Sequence, residues 1–459
     1  MDIHVVILAA GKGTRMKSAR PKVLHRVAGL PMIEHVLACA AAINPRSTIV
    51  VVGHRAEALT ATLARHPGLT CVVQEPQRGT AHALMTTEAA LAGQTGVLVL
   101  LSGDVPLLSP RTLQDLVECH QTRGAAATVV TAVVENPEGY GRIVRSGQQI
   151  ARIVEERDAS QAEREIREIN SGIYAFALEG LFDAVRSIPA GNAQQEYYLP
   201  DLVAIYRQRG SIVETVTSSN PDEIRGINSR LELAAVSRIV RDQKTAELMA
   251  SGVTIEDPAT AYVDAGVTIG ADTILHPGVS LEGRTTIGAG CDIHSGTRIV
   301  DSQIGDRVTI LNHCVITNAR IADDASVGPF AHLRNGADVR AKAKVGNFVE
   351  LKNTVLGAGS KSMHLAYLGD ATIGVGVNIG AGTITCNYDG VNKNQTVIED
   401  GAFVGSDSQL VAPVTIGQGA YVGSGSTIRQ DVPAGALAVS AGKQRNIEGW
   451  VSKKVRTKK

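Results

Sequence analysis

Residues 263–299, VDAGVTIGADTILHPGVSLEGRTTIGAGCDIHSGTRI, decide the fold of the second half of the chain. An aliphatic residue occupies every sixth position: Val263, Ile269, Leu275, Leu281, Ile287, Ile293 and Ile299. A period of six matches neither the roughly 3.6 residues of an α-helical turn nor the roughly two residues of a plain strand. It is typical of a parallel β-helix, in which each side of a coil points one aliphatic residue inward, whereas a β-sandwich would alternate without a fixed period.

The same period extends toward the C-terminus, with a few shortened steps and two interruptions. Its later members are Ile304, Ile310, Ile316, Ile321, Val327, Leu333, Val339, Val345, Leu351, Ile373, Ile379, Ile398, Val404, Leu410, Ile416, Val422 and Ile428. A glycine often follows, and we attribute this to tight corners; examples are Gly270, Gly288, Gly305, Gly374, Gly380, Gly405, Gly417 and Gly423. We therefore predict a parallel β-helix domain over residues 251–440.

The first half of the chain has a different pattern. Residues 3–230 alternate strand-like apolar runs with helix-length amphipathic segments. This alternation predicts an α/β, Rossmann-like domain over residues 1–228, with ligands bound beyond the carboxyl ends of its strands. Residues 229–250 contain no glycine or proline and are predicted to be a linker helix. Residues 441–459 form a basic tail, either solvated or acting as a lid that adds charge to a phosphate site.

Composition limits the classes of partner. The chain has 459 residues, and its 45 basic and 45 acidic residues give no net charge, so no overall field attracts nucleic acid or an anionic membrane. Small-molecule substrates are the expected partners. The six cysteines form no CxxC pair, and no apolar run reaches about 18 residues, so we expect a cytoplasmic protein without membrane insertion.

A glycine loop after the first strand-like run predicts a phosphate site. In LAAGKGTRM, residues 8–16, Gly11 and Gly13 would let backbone N–H groups approach phosphate at a helix N-terminus. The loop lacks both the third glycine of a dinucleotide fingerprint and the GxxxxGK of a Walker A loop. Arg15 and Lys22 follow closely, and two fixed cations suit a triphosphate. Asp104 ends another apolar strand and suits Mg²⁺, which prefers oxygen ligands.

Several motifs carry a family resemblance. The block LAAGKGTRMKSARPKVL is similar to the signature of sugar-phosphate nucleotidyltransferases. Further stretches resemble one subfamily of these enzymes: QRGTAHA, GYGRI, IVEERD, EINSGIY and GINSRLEL. Over essentially its whole length, the chain resembles the bacterial bifunctional family that joins N-acetylglucosamine-1-phosphate uridylyltransferase to glucosamine-1-phosphate N-acetyltransferase. The resemblance implies a left-handed β-helix and a role in UDP-N-acetylglucosamine biosynthesis, and hence in peptidoglycan synthesis, cell wall biogenesis and cell shape.

For uridylyl transfer, the resemblance implies a set of binding residues. Uridine and its phosphates would be held by Leu8, Ala9, Ala10, Gly11, Lys22, Gln74, Gly79, Thr80, Ser102, Gly103 and Asp104, the sugar by Gly141, Glu155 and Asn170, and Mg²⁺ by Asp104 and Asn228. The sugar 1-phosphate oxygen would attack the α-phosphorus of UTP and release pyrophosphate. Arg15 and Lys22 would offset the developing charge, so no protein nucleophile is needed.

The two interruptions of the period predict a second site, because loops on a rigid scaffold often carry function. Acetyl transfer from a thioester to an amine needs a base, and His364, in SKSMHLAYLGD, is the candidate. The resemblance implies that Glu350 orients His364. Met363 departs from the family motif GHLxYLGD. Arg334 and Lys352 are three hexapeptides apart, so they should stack on successive coils as phosphate ligands.

The resemblance also implies the remaining contacts of the second site. Glucosamine-1-phosphate would be bound by Arg334, Lys352, Tyr367, Asn378 and Lys393, and acetyl-CoA by Ala381, Asn387, Tyr388, Ser406 and Ser424. Ala441 stands where many family members have an arginine, and Lys443 or Arg445 is expected to substitute for it. Related β-helices form trimers, so a homotrimer is expected.

Three alternatives compete with this interpretation. The chain could be a monofunctional sugar-1-phosphate nucleotidyltransferase whose β-helix is structural or regulatory, or an acyltransferase with a degenerate first domain. A third alternative is a three-histidine zinc site. His276 and His294 have the spacing of one coil, but His313 and His332 fall elsewhere in the hexapeptide, so surface corner histidines are the better interpretation.

Overall fold

The computed structural model describes residues 1–53, 56–189, 192, 194–440 and 442–451. It divides into two compact units, Met1–Val240 and Arg241–Lys459. Ala441 and residues 452–459 of the basic tail lie outside the described residues. The finer boundaries at residues 228, 250 and 440 stay predictions. No helix of the described ranges is long and apolar enough to cross a membrane.

The first unit is built on a sheet that is mostly parallel. In spatial order its main strands are Val213–Thr217, Ala127–Val133, Glu168–Ala177, Val97–Ser102, Ile3–Leu8, Ser47–Val52 and Leu69–Val73. Glu168–Ala177 runs antiparallel to both neighbours, and the hairpin of Arg142–Ser146 and Gln149–Val154 pairs with it. Arg26–Val27 and Leu30–Pro31 form a separate small hairpin. The sheet therefore has the α/β, Rossmann-like form that the alternation predicted.

Helices cover both faces of this sheet. Alternate residues of its strands accordingly belong to two separate hydrophobic clusters, one on each face. Val6 packs on one side, while Val5 and Ile7 pack on the other. The α-helices of the described chain are Met32–Ala41, Ala56–Leu63, Thr80–Met85, Pro110–Arg123, Gln161–Arg164, Leu181–Arg186, Asp201–Gln208 and Arg230–Ala250. Short 3-10 turns occur at Thr14–Met16, Lys22–Leu24, Ala89–Leu91 and Pro221–Ile224.

The second unit is a parallel β-helix with three sheets, here called faces 1, 2 and 3. Face 1 contains Thr254–Ile255, Ile274–Leu275, Asp292–Ile293, Thr309–Ile310, Ser326–Val327, Lys344–Asn347, Lys361–His364, Asn378–Ile379, Phe403–Val404, Tyr421–Val422 and Leu437–Ala438. Face 2 contains Tyr262–Val263, Ser280–Glu282, Arg298–Val300, Val315–Thr317, His332–Arg334, Glu350–Lys352, Tyr367–Gly369, Ile384–Cys386, Gln409–Val411 and Thr427–Ile428. Face 3 contains Thr268–Ile269, Thr286–Ile287, Gln303–Ile304, Arg320–Ile321, Asp338–Val339, Val355–Leu356, Ala371–Ile373, Thr396–Ile398 and Val414–Ile416.

The aliphatic residues of the six-residue period form the core of this β-helix. Leu281, Ile299, Ile316 and Leu333 are fully buried and stack in register on face 2. Residues on either side of each aliphatic residue point outward, because successive side chains of a strand alternate between its two sides. Every outward position therefore recurs as a column, with one residue per coil.

The glycines that follow the aliphatic residues have a different cause from the one predicted. None of the eight examples has a positive φ, so a special backbone conformation does not require glycine there. A Cβ on Gly270 would lie 2.6 Å from the backbone nitrogen of Ala289 in the next coil. Close approach of the next coil selects glycine at this position. The left-handed corners come later in the repeat, at residues such as Arg307 and Asp324.

Gly270→Ala should therefore destabilise the second unit by about 1–3 kcal/mol, the usual cost of overpacking. Gly423→Ala is the matched control, because it has the same place in the repeat but its Cβ would come closest to the Val439 side chain, at 3.1 Å, and would lie at an ordinary 3.6 Å from the nearest backbone atom, the carbonyl oxygen of Ala438. Denaturant unfolding of both variants measures the difference. Equal stability of the two variants would contradict the steric explanation.

Candidate active sites

The glycine loop of the first unit leaves room for Lys22. Gly13 has a φ of +60°, and a Cβ on it would lie 2.8 Å from Cβ of Lys22. The predicted helix after this loop is wrong. Only the three-residue turn Thr14–Met16 follows, because Lys17 adopts a left-handed conformation and ends it. The segment therefore has a loop backbone and a short turn at the predicted phosphate site, and no α-helix N-terminus.

A cavity of 460 Å³ lies beside this loop. Its lining is Leu8, Ala10, Gly11, Lys12, Gly13, Thr14, Gln74, Gln77, Gly79, Thr80, Ala83 and Glu196. Six of the eleven residues predicted to hold the nucleotide line this cavity, whereas Ala9, Lys22, Ser102, Gly103 and Asp104 do not. Gly103 donates its N–H to the Leu8 carbonyl at 2.9 Å, and this bond joins the two strand ends.

Sequence reasoning missed Gln77 and Glu196 in this cavity. The Gln77 side chain donates to the carbonyl of Ala10, and Gln74 donates to the carbonyl of Gly79 at 3.0 Å. These two amides tie the glycine loop to the segment that precedes helix Thr80–Met85. Gln77 lies inside the quoted motif QRGTAHA, so the signal was present in the sequence.

Three residues predicted for the reaction centre converge on one point. The Lys22 ammonium donates to Oδ1 of Asn228 at 2.8 Å and forms an ion pair with Asp104. Their oxygens are therefore already arranged around a positive centre. Hard carboxylate and amide oxygens are also the ligands that Mg²⁺ prefers, so this pair fits the predicted ion. Arg15 is exposed on the neighbouring loop.

The three predicted sugar residues are also neighbours. Asn170 donates its N–H to the Gly141 carbonyl at 2.8 Å, and a Cβ on Gly141 would lie 3.3 Å from Oε1 of Glu155. The register of strand Glu168–Ala177 shifts between Asn170 and Tyr174, and such irregularities often re-aim side chains at functional sites. Burial raises the pKa of Glu155, and nearby carboxylates raise it further.

In the second unit, face 2 carries a row of charged side chains. Arg334 and Lys352 pair in register on successive coils, which confirms the stacking predicted from their spacing. Arg334 donates to Oε1 of Glu350 at 2.7 Å, and Lys352 donates to Oδ2 of Asp370 at 3.0 Å. Tyr367 pairs with Glu350 on the next coil. The arrangement places two cations on one face, each with a carboxylate partner.

Asp370 is the centre of this row, and sequence reasoning gave it no role. Its carboxylate accepts hydrogen bonds from Asn353, Lys352 and Asn387. Burial opposes its ionisation, but these bonds outweigh that effect and hold the pKa of Asp370 below its usual range. The hydrogen bond to Asp370 correspondingly raises the pKa of Lys352. A signal existed, since Asn318, Asn335, Asn353 and Asp370 occupy the same left-handed corner on successive coils.

The structure gives His364 a different partner from the predicted one. Nδ1 of His364 bonds Oδ1 of Asn347 at 2.7 Å, and the two residues pair in register on face 1. Glu350 lies on face 2 and bonds Arg334 instead. Because a carboxamide oxygen only accepts, Nδ1 carries the hydrogen in this bond, and in the neutral ring the lone pair is then on Nε2. His364 is exposed, so this lone pair is available to a ligand.

Met363 is accommodated beside Gly346. The backbone of Met363 presses against Gly346, where a Cβ would clash, while the Met363 side chain is 38% exposed. The departure from the family motif therefore does not displace His364 from Asn347.

The second interruption forms a loop beside face 2. Tyr388 and Lys393 bridge its two ends, and Lys393 lines a cavity of 500 Å³ together with Asp370 and Asn353. Asn387 is buried and donates to Asp370, while Tyr388 is 61% exposed. Lys393 and Asn387 therefore lie next to Asp370 of the charged row, and Tyr388 faces outward. Their predicted roles, with Lys393 at glucosamine-1-phosphate and Asn387 and Tyr388 at acetyl-CoA, stay predictions.

The remaining predicted residues lie on other parts of the β-helix. Asn378 is on face 1, one coil beyond Lys361. Ala381, Ser406 and Ser424 form a single column, because each follows by two positions an aliphatic residue of face 1, and these aliphatic residues pair in register. Backbone bonds join the column, with Gly425 donating to the Ser406 carbonyl at 2.8 Å. The column offers a row of small side chains along three coils.

Comparisons with known proteins match both units. Residues 5–171 match the MobA-like NTP transferase domain, and residues 395–430 match the bacterial transferase hexapeptide family, which has six repeats. The β-helix is therefore of the left-handed hexapeptide type. A protein of Pelobacter propionicus named bifunctional protein GlmU is 49% identical over 459 residues, covering 100% of this chain and 99% of that protein. Proteins of the same name from Trichlorobacter lovleyi and Heliobacterium modesticaldum are 48% and 49% identical, each covering 98% of both chains.

Asp370→Asn should lower the free energy of unfolding by about 1–3 kcal/mol near pH 7, because it removes a charged acceptor from three donors. The folded pKa of Asp370 lies below its unfolded value, so its contribution is complete above the ordinary aspartate pKa of about 3.9. The contribution is lost as the pH falls through the lowered folded pKa. Unfolding measured from pH 7 downward should therefore show a difference that shrinks in acid.

Asp407→Asn is the matched control, since Asp407 is exposed and has a similar left-handed backbone that asparagine also tolerates. It should change stability little at any pH. A loss for Asp370→Asn that is equally large at acid and neutral pH would contradict the electrostatic account.

Proposed function

Because the chain belongs to the family of bifunctional GlmU proteins, we propose that it acetylates glucosamine-1-phosphate with acetyl-CoA and then transfers uridylate from UTP to the product. The β-helix carries out the acetyl transfer, and the first unit forms UDP-N-acetylglucosamine and releases pyrophosphate. The observation that carries this proposal is that each unit has its own set of charged groups suited to one of the two reactions. Lys22, Asp104 and Asn228 form one, and His364 with the charged row of face 2 supplies the other.

For uridylyl transfer, the glycine loop and Gln74, Gly79 and Thr80 hold the nucleotide in the 460 Å³ cavity. Mg²⁺ held by Asp104 and Asn228 would neutralise phosphate charge when bound. Lys22 and Arg15 contribute positive charge to the attacked phosphate. Gly141, Glu155 and Asn170 hold the sugar, so that its phosphate oxygen attacks the α-phosphorus in line. Positioning and charge are sufficient for such a step.

For acetyl transfer, His364 removes a proton from the substrate amine as the amine attacks the thioester carbonyl. Asn347 keeps the hydrogen on Nδ1, which leaves Nε2 as the base. Arg334 and Lys352 bind the phosphate of glucosamine-1-phosphate, with Tyr367, Asn378 and Lys393 around the sugar. Acetyl-CoA lies along Ala381, Ser406 and Ser424, with Asn387 and Tyr388 at the loop. Coenzyme A leaves as the thiol.

The acetyl site is formed between copies of the chain in a homotrimer. The support for this is that His364 lies on face 1 while Arg334, Lys352 and Glu350 lie on face 2. The basic tail, with Lys443 and Arg445, adds charge for coenzyme A in place of the arginine that Ala441 replaces. In this arrangement Glu350 can still serve the His364 of another copy, which would preserve its predicted role.

The monofunctional alternative is not favoured. A β-helix that served only assembly would not need a base and two stacked cations, and the similarity to bifunctional proteins extends over the whole chain. We place both reactions in the cytoplasm, which is supported by free cysteines throughout the described chain and by the substrates UTP and acetyl-CoA.

Asp104→Asn should lower pyrophosphate release at least about 100-fold, because it removes a charge needed to hold the metal, while acetyl transfer continues. His364→Ala should do the converse, with a loss of about 10²–10⁴-fold in thiol release and normal uridylyl transfer from N-acetylglucosamine-1-phosphate. Free thiol is followed with glucosamine-1-phosphate and acetyl-CoA, and pyrophosphate is followed separately with N-acetylglucosamine-1-phosphate, UTP and Mg²⁺. Retention of pyrophosphate release by Asp104→Asn would contradict the first site, and retention of thiol release by His364→Ala the second.

Mixing two inactive variants tests the shared site. His364→Ala and Lys352→Ala are unfolded together and refolded into mixed oligomers. If each site takes His364 from one copy and Lys352 from another, about a quarter of the sites should regain both residues by random assembly. Each variant refolded separately is the control. No recovery from the mixture, with trimers confirmed by mass, would show that one chain supplies both residues.

A further inference from the structure

A cluster of metal-ligating side chains lies on face 1, among the first coils of the β-helix. It consists of His276, Asp292 and His294, and one ligand atom of each lies within 4.8 Å of the others. Nε2 of His276 contacts one carboxylate oxygen of Asp292 at 2.8 Å, and Nε2 of His294 contacts the other at 3.1 Å. The two imidazole rings stack with their centroids 4.6 Å apart. The regular fold thus aims two imidazole nitrogens at one carboxylate.

The surroundings of His276 make this cluster unusual. Its Nδ1 contacts Oε2 of Glu256 at 3.0 Å, while its Nε2 contacts Asp292. A neutral imidazole has a single N–H, so it can donate to only one of two ionised carboxylates. A cation between Nε2 and Asp292 would leave the single N–H on Nδ1, where it can be donated to Glu256.

Nε2 of His294 faces the second carboxylate oxygen of Asp292, and the His294 ring stacks on the His276 ring. Imidazole nitrogens from two successive coils therefore point at one carboxylate. One divalent cation satisfies both nitrogens and the carboxylate at once.

We propose that His276, Asp292 and His294 bind a divalent transition metal of the Zn²⁺ class. Two imidazole nitrogens and one carboxylate oxygen suit such an ion, whereas Mg²⁺ prefers oxygen ligands alone. Glu256 has the place of the carboxylate that commonly holds the distal N–H of a metal-bound histidine. Small side-chain rotations bring the ligand atoms to the required distance of about 2.0–2.2 Å from the ion.

Such an ion would join two successive coils near the N-terminal end of the β-helix. Strands Ile274–Leu275 and Asp292–Ile293 pair directly, and the ligands come from both. A ligand that binds the folded state alone stabilises it by mass action. The expected role is therefore to fasten the first coils.

The histidine spacing alone did not indicate this set, because the third donor is an aspartate in the neighbouring column. Asp292 and His294 flank the buried Ile293, so both point outward from the same strand. His276 and His294 are 18 residues apart, which is the length of one coil, whereas Asp292 is 16 residues after His276 and does not share this spacing.

The test uses the full chain carrying Asp104→Asn, freed of metal by a chelator and without an affinity tag, so that the carboxylate of the uridylyl site does not contribute. Zn²⁺ is titrated calorimetrically, and Co²⁺ binding is followed by its visible absorption. The expected result is one site per chain with a cobalt spectrum typical of nitrogen ligation. His294→Ala and Asp292→Asn should each weaken Zn²⁺ binding at least tenfold, and Glu256→Ala about 10–100-fold.

His313→Ala is the matched control, because His313 is another histidine of the β-helix, stacked on Phe330 and not part of the cluster. It should leave binding unchanged, and Zn²⁺ should raise Tm in this variant but not in His294→Ala. Absence of cobalt absorption in the parent chain would overturn the proposal, whatever the folding of the variants. Equal binding by His294→Ala and the parent, or an equal loss in His313→Ala, would overturn it as well.

Discussion

The column of buried aliphatic residues is the constraint on which the second unit depends. Burying one valine, leucine or isoleucine side chain contributes about 1.5–3 kcal/mol, and each coil repeats this on three sides. Exposed ion pairs contribute only about 0–1 kcal/mol each. The aliphatic column therefore sets the register, and charged side chains such as Arg334 and Lys352 take positions that the register assigns to them.

This constraint explains which parts of the acetyl site could be predicted from sequence. The period identified the inward residues, and counting three hexapeptides placed Arg334 above Lys352. Steps of 18 residues do not find the partner where a coil has 17 residues, as between Asn353 and Asp370. The carboxylate of Asp370, at the centre of the charged row, was therefore not predicted. The partner of His364 was also missed. A motif indicates which residue types belong together, but whether Asn347 or Glu350 meets the imidazole depends on which face each one occupies.

The first unit was predictable in a different respect. The alternating apolar runs predicted the α/β sheet, and the positions just after the strands identified Asp104 and the glycine loop as candidate site residues. The contact between Lys22 and Asn228 joins residues 206 positions apart, and no local pattern carries that information. The prediction of a helix after the glycine loop was wrong because of a single residue, Lys17, whose left-handed conformation ends the turn. The glycines of the β-helix were located correctly but explained wrongly, since their cause lies in the neighbouring coil.

The column of Ala381, Ser406 and Ser424 shows what such an architecture does to ligand geometry. Neighbouring coils are about 4.8 Å apart, so groups in one column can be spaced only in multiples of that length. The loop at residues 387–395 lengthens the chain between Ala381 and Ser406 without altering this rise, because it leaves the stack and returns to the same column. An insertion of one whole coil would lengthen the column by a single increment, while an insertion of one hexapeptide would carry every later residue to the adjacent face. The number of coils thus sets the length of ligand that the column can bind, and the number of hexapeptides sets the face of the β-helix on which the ligand lies.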